Sequence, residues 1–332
     1  LLDEDIGRTA ATSTDRSAHG ATIWITPAGT IGYDPSTHSA AFKAQLQSLN
    51  PGETLTDSFT YAILLVNGTL KWATATVQIA GVNDAPVAQA AGFSVAEDAA
   101  LVAGAVIATD VDNGATRSFA LNTPAPAGLT FNSDGSYTFD PGHPAYQSLA
   151  VGQTTVLTVP YTVTDNWGAG STANLVITLS GANDAPTGTA TATLAAGTED
   201  TAYTVSASTL LAGFSDIDNG DTLSVAGLSA TDGSVTANAD GTYTITPTLN
   251  YNGAVPLSYN VIDGHGGSVA ATQNYTLTAV NDPAILSAAV AALTETNAIL
   301  STAGTLTITD VDSPATFVAQ TATVGSYGSF GN

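Results

Sequence analysis

Short runs in which apolar and polar residues alternate recur along the whole chain: Ala21–Thr26, Ser136–Phe139, Val159–Thr164, Asn174–Leu179, Thr242–Thr246, Leu257–Ile262 and Tyr275–Thr278. β-Branched and aromatic residues supply most of the apolar positions. A period of two sends successive side chains to opposite faces of an extended strand, so each run predicts a strand with one buried face. Turn sequences separate the runs. Asn132-Ser133-Asp134-Gly135 and Asn238-Ala239-Asp240-Gly241 each stand just before a Tyr-centred strand. Helical periodicity is scarce, with Ser39–Leu49 the best candidate and a shorter echo at Pro144–Leu149. The pattern predicts an all-β protein.

The pattern also repeats. Asn-Asp-Ala-Pro occurs at Asn83–Pro86 and again at Asn183–Pro186, and the variant Asn281-Asp282-Pro283 follows, at spacings of 100 and 98 residues. That period is the length of one small β-sandwich, so the chain reads as a tandem array. Phe59-Thr60-Tyr61, Val159-Pro160-Tyr161 and Leu257-Ser258-Tyr259 keep the same spacing, and Asp34-Pro35 and Asp140-Pro141 each precede a histidine and a Gln-Ser-Leu. The predicted domains are 1–86, an incomplete repeat lacking its first strand; 87–186 and 187–283, both full; and 284–332, the N-terminal part of a further repeat. In the third repeat, Thr246–Gly253 replaces the short helix of the first.

Composition narrows the chemistry. With 44% hydrophobic residues the chain can bury real cores, so its net charge of −23 does not signal disorder. Against 28 acidic residues stand only Arg8, Arg16, Lys43, Lys71 and Arg117. Such a surface repels phosphates, which argues against nucleic acid and against docking on an anionic membrane. No apolar run is long enough to insert into a bilayer. The absence of cysteine excludes disulfides, thiolate metal sites and thiol nucleophiles. The acidic N-terminus is unlike a signal peptide, and methionine is absent even at position 1, so a piece of a longer protein is expected.

The carboxylates are ordered. Each linker aspartate is followed 26 to 32 residues later by an Asp-x-Asp, namely Asp110/Asp112, Asp216/Asp218 and Asp310/Asp312. A glutamate follows it by 13 to 15 residues: Glu97, Glu199 and Glu295. Nineteen residues before the later two linker aspartates, closing a Tyr-centred strand, lie Asp165 and Asp263. Calcium takes ~6–8 oxygen ligands from carboxylates, Asn side chains and carbonyls. Without a cation, two carboxylates about 4 Å apart repel by roughly 4 kcal/mol at an effective dielectric of ~20. A single Asp-x-Asp-Asn-Gly is ordinarily just a turn, and a single Asn-Asp can be a capped one. An EF-hand is excluded, because Leu121, Gly227 and Thr321 stand where its last glutamate belongs. Recurrence of the whole set in register points to bound Ca2+.

The linker tetrads, Thr109–Gly114, Asp134–Phe139 and Tyr161–Asp165 resemble the VCBS-type and cadherin-like tandem repeats of large bacterial repeats-in-toxin (RTX) adhesins, and Thr309–Thr316 is similar to them too. The resemblance covers essentially the whole chain and implies cadherin-like or immunoglobulin-like sandwiches with calcium held between consecutive repeats. It assigns Asn83, Asp84, Asp110, Asp112 and Asp165 to the first junction. Glu97, Asn183, Asp184, Asp216, Asp218 and Asp263 go to the second, and Glu199, Asn281, Asp282, Asp310 and Asp312 to the third. Leu65 stands where Asp165 and Asp263 do, so a site above the first repeat is expected to be weak or absent, although Asp3 and Asp5 resemble its Asp-x-Asp.

The implied function is a calcium-stiffened spacer of a bacterial surface adhesin, extracellular, partnered by neighbouring repeats and supporting adhesion or biofilm formation. Two alternatives are a filament or sheath subunit and a glycan-binding module using Trp24, Trp72 or Trp167, which would bring in other surface chains or glycans as partners. Packing at a strand or loop is the simpler reading of each tryptophan. An enzyme is not expected: His19, His38, His143 and His265 show no zinc spacing, and the paired acids recur at every junction, which an active site does not.

Overall fold

A computed structural model describes residues 8–332 except 27, 289, 299, 301, 303, 318–322, 326–327 and 331–332. Asp3, Asp5 and Thr321 lie outside the described residues. The chain divides into two compact units, Leu1–Ala182 and Asn183–Asn332.

In the first unit the strand Thr22–Ile25 pairs antiparallel with Ile31–Asp34, and a long hairpin joins Thr54–Leu64 to Leu70–Ala80. Between them lies the predicted helix, Ala40–Gln47. Ser39 Oγ caps it by accepting from the Phe42 N–H at 3.3 Å, and Phe42 is its buried residue. The rest of the unit is a sandwich. One sheet runs Ala91–Ala96, Gly170–Ser180, Thr154–Asp165, Arg117–Leu121; the other runs Leu129–Phe131, Ser136–Phe139, Val102–Ala105. Ala91–Ala96 lies parallel to Gly170–Ser180, with Leu175 opposite Ala91 and Ser180 opposite Ala96. Alternate residues of the long strands (Val159, Tyr161, Val163, and Leu175, Ile177, Leu179) turn inward onto Phe139 and Tyr137, as the period of two requires.

The second unit repeats this plan. Gly197–Thr198, Ser268–Thr278, Gly253–Ile262 and Ser224–Ala230 form one sheet; Tyr203–Ser206, Thr242–Pro247 and Gly233–Ala237 form the other. Val255, Leu257, Tyr259 and Val261 face Tyr275 and Leu277 in its core. Beyond it, Ile285–Leu286 pairs with Ile308–Thr309, as Val87–Ala88 does with Ala108–Thr109. The all-β architecture expected from alternation is therefore the one observed.

One expectation fails. Pro144–Leu149 is not a helix but a chain of turns, in which Tyr146 N–H reaches His143 O at 3.0 Å and Leu149 N–H reaches Tyr146 O at 3.1 Å. Pro141 and Pro144 supply no donors, and so short a segment cannot offset the cost of nucleating an α-helix.

Candidate metal centres

Each Asn-Asp linker leaves a long strand and meets two loops. In the first unit Asn83 Nδ2 donates to Asp165 Oδ2 at 2.7 Å. Asp84 N–H donates to Asp112 Oδ2 at 2.9 Å, and Asp112 N–H donates to Asp110 Oδ1 at 3.1 Å. Asp165 Oδ1 accepts from the N–H groups of Trp167 and Ala169 at 2.8 and 2.9 Å. Backbone donors thus fix one oxygen of each carboxylate. Asn83 Oδ1, Asp110 Oδ2 and Asp112 Oδ1 remain buried with no hydrogen-bond partner.

The second unit builds the same arrangement. Asn183 Nδ2 donates to Asp263 Oδ2 at 3.0 Å, Asp184 N–H to Asp218 Oδ2 at 2.9 Å, and Asp218 N–H to Asp216 Oδ1 at 3.0 Å. Asp263 Oδ1 collects the N–H groups of His265, Gly266 and Gly267 at 2.7 to 3.1 Å. Again Asn183 Oδ1, Asp216 Oδ2 and Asp218 Oδ1 are buried without a partner. Gly267 is required by proximity, because a Cβ there would stand 2.1 Å from Asp263 Oδ2.

The third set also lies in the second unit. Asp282 N–H donates to Asp312 Oδ2, and Asp310 Oδ1 accepts from Asp312 and Ser313 N–H groups, both at 3.0 Å. Glu199 is buried; its Oε1 accepts from Val280 N–H and its Oε2 from Asn252 Nδ2 at 3.3 Å. Glu199, Asp282 and Asp312 each bring one oxygen to within 4.8 Å of the other two. Asp282 Oδ2 is buried without a partner. Asn281 Nδ2 donates to the Asp282 carbonyl at 3.1 Å, as Asn183 Nδ2 also does to the Asp184 carbonyl at 3.0 Å, and Asn281 and Asp312 are exposed. Glu97 repeats the role of Glu199 within its own unit, buried and accepting from Ala182 N–H at 2.9 Å.

Protonation follows from these contacts. Burial raises the Asp165 carboxyl, but the bonds from Asn83 and from Trp167, Ala169 and Gly168 N–H outweigh it and hold it below the usual carboxylate range. Asp263 is lowered in the same way, against burial, by Asn183 and by His265, Gly266 and Gly267 N–H. Asp218 and Asp282 go the other way. Burial pushes both up, and like charges add to it: Asp216, Asp221 and Asp263 around Asp218, and Asp200, Asp312, Glu199 and Asp310 around Asp282. The donor sets fit a hard divalent cation, since the unsatisfied atoms are all oxygens, drawn from carboxylates and asparagine carbonyls.

Leu65 shows the contrast. It sits in the same turn as Asp165, with Leu65 N–H bonded to Thr69 O and Gly68 N–H to Leu65 O, but its side chain is exposed and offers no ligand. Sequence reasoning also passed over Asp221, whose signal was a third carboxylate in Asp216-x-Asp218-x-x-Asp221. It missed a buried network in the first repeat as well, where Asp57 Oδ2 accepts from Tyr33 OH at 2.7 Å and lies 3.1 Å from His38 Nε2. Of the tryptophans, Trp24 packs over Gly32, whereas Trp72 and Trp167 are 61% and 40% exposed.

Residues 83–181 match the bacterial cadherin-like domain family, and residues 182–278 match the cadherin-like domain family. Among solved structures, protocadherin gamma B7 extracellular cadherin domains 1–4 aligns at 14% identity and a TM-score of 0.44, over 80% of this chain and 65% of its own length. Mouse cadherin-23 domains EC22–24 align at 15% identity and a TM-score of 0.47, over 79% of this chain and 82% of theirs. Drosophila N-cadherin domains EC1–4 align at 13% and 0.43, over 79% of this chain and 64% of theirs. This chain therefore spans slightly less than two thirds of the first of these structures. No curated protein matches it. No helix among the described residues is long and apolar enough to cross a membrane. With both of its matched segments assigned to cadherin-like families, the stretch 83–278 of this chain consists of tandem cadherin-like β-sandwich domains.

Proposed function

We propose that the chain is an extender region of a large bacterial cell-surface adhesin of the VCBS and RTX kind, stiffened by calcium at each Asn-Asp linker. Its repeats are 1–86, 87–186, 187–283 and 284–332, and its work is mechanical: to hold an adhesive domain away from the cell during attachment or biofilm growth. The ligands are the sixteen linker, loop and basal residues assigned from the sequence. The observation that carries this reading is the recurrence of buried oxygens without donors at Asn83, Asp110 and Asp112, then Asn183, Asp216 and Asp218, then Asp282. Leaving one such atom unsatisfied costs about 1–3 kcal/mol, and more when it is charged. A divalent ion supplies the missing interaction and cancels the repulsion among the carboxylates. Millimolar extracellular calcium matches the affinity of sites built this way.

The test is the melting temperature of the full chain in millimolar calcium and again after chelation. The reading expects a rise of at least several degrees in calcium, reversed by chelator. Equal melting under both conditions would reduce the carboxylates to a solvated surface.

A second reading, a filament subunit completed by neighbouring chains, draws on the hairpin of Thr54–Leu64 and Leu70–Ala80. Its counterpart in the next repeat is flanked by Ala91–Ala96 and Arg117–Leu121. Among the described residues this hairpin has neither flank, and Ile63, Leu64 and Trp72 lie exposed on it. Polymerisation that grows with concentration would select it over the monomeric spacer.

A further inference from the structure

Asp221 falls outside the ligand set of linker, Asp-x-Asp and loop aspartate, yet its side chain is only 3% exposed. Oxygens of Asp216, Asp221 and Asp263 lie within 4.8 Å of one another. Asp218, 5% exposed, keeps its Oδ1 buried without a partner; Asp216 Oδ2 is in the same condition. His265 Nδ1–H donates to Asp221 Oδ2 at 3.1 Å and orients that carboxylate from the solvent side. His265 is itself placed by the loop that wraps Asp263, where Gly264 and Gly266 have φ of +91° and +119°.

We propose that Asp221 is an additional calcium ligand, positioned by His265, that makes the site at the base of the third repeat stronger than the other two. This rests on the calcium reading above. The difference is written in the repeats: Ala115 and Trp167 occupy the equivalent positions in the second repeat, and Ala315 occupies that of Asp221 in the fourth. One set therefore gathers Asp216, Asp218, Asp221 and Asp263, where its predecessor gathers Asp110, Asp112 and Asp165. Calcium affinity in oxygen sites rises with the number of charged ligands and with their rigidity. The string then loads in order, and this site keeps its ion as calcium falls.

The test is calorimetric titration of the calcium-stripped full chain with calcium chloride, for wild type, Asp221→Ala, Asp221→Asn and His265→Ala. Wild type is expected to show one class of sites tighter than the rest. Both Asp221 variants are expected to weaken that class by about tenfold or more while leaving the others, and His265→Ala to weaken it less. Asp221→Asn keeps the side-chain volume, so it carries the same expectation should the alanine variant fold poorly. If wild type binds calcium and the Asp221 variants bind it identically, this inference is overturned and the spacer reading stands. If wild type binds no calcium, both fall.

Discussion

Asp84 and Asp112 are joined by one hydrogen bond, from the Asp84 backbone N–H to the Asp112 carboxylate Oδ2 at 2.9 Å. The same bond links Asp184 to Asp218 at 2.9 Å, and Asp282 to Asp312. It ties each linker to its Asp-x-Asp loop through one carboxylate oxygen and, in the first two sets, leaves the other buried without a partner. The bond holds each linker against its own Asp-x-Asp loop and leaves motion between successive repeats open. On the calcium reading, the ion would satisfy the oxygens that remain.

Asp218 should therefore respond oppositely with and without calcium. Burial and the surrounding carboxylates push its carboxyl up, so its ionised form is a liability in the empty site. Asp218→Asn is expected to melt at or above wild type in chelator and several degrees below it in calcium, read by thermal unfolding. A variant that melts lower in both would make Asp218 a structural residue alone.

The calcium-free chain should show two pH limbs. Asp218 and Asp282 are raised in the folded state, so that state binds more protons and gains stability as pH falls from neutral through their range. Asp57, Asp165 and Asp263 are lowered, so their contribution, present above the ordinary carboxylate value, is lost as pH falls further. The melting temperature in chelator is expected to peak near about pH 4–5. Calcium should flatten the neutral limb.

Within the first repeat, burial raises Asp57, but bonds from Ser17, Tyr33 and the Ser58 and His19 N–H groups prevail and hold its carboxyl at about 2. The stability it contributes is lost as pH falls from the ordinary carboxylate value of 3.8 to about 2. Asp57→Ala, which strands Tyr33 and His38 in the interior, should cost roughly 2–4 kcal/mol at neutral pH and blunt the acid limb, measured by urea unfolding.

Gly267→Ala should damage calcium binding out of proportion to its size. The new Cβ would meet Asp263 Oδ2 at 2.1 Å and Ala185 Cα at 2.8 Å, forcing the loop off the aspartate. Gly241→Ala, in the turn before Thr242–Pro247, is the control: its φ is +80° but nothing lies within 4 Å of the added carbon. It should lose about 1 kcal/mol through backbone strain alone. Equal losses of calcium affinity in the two would refute the steric account.

The strands were legible because alternation survives any tertiary detail: Ser136–Phe139 is paired over the residues that alternate, and the longer strands extend their predicted runs at the ends. The linker and Asp-x-Asp residues were legible from recurrence. Asp221 was not, since it occurs in one repeat only and a search for shared positions discards it. Asp57 was hidden for a related reason. It stands where the second repeat has Leu157, and only the fold shows that Tyr33 and His38 converge on it. The turns at Pro144–Leu149 were misread because their spacing imitates a helix while their prolines forbid its bonds.

Small-angle scattering of the full chain, in millimolar calcium and then in chelator, tests calcium stiffening most directly. The account predicts a profile of fixed maximum dimension in calcium that broadens into that of a flexible string when calcium is withdrawn. A profile identical in both conditions would contradict it.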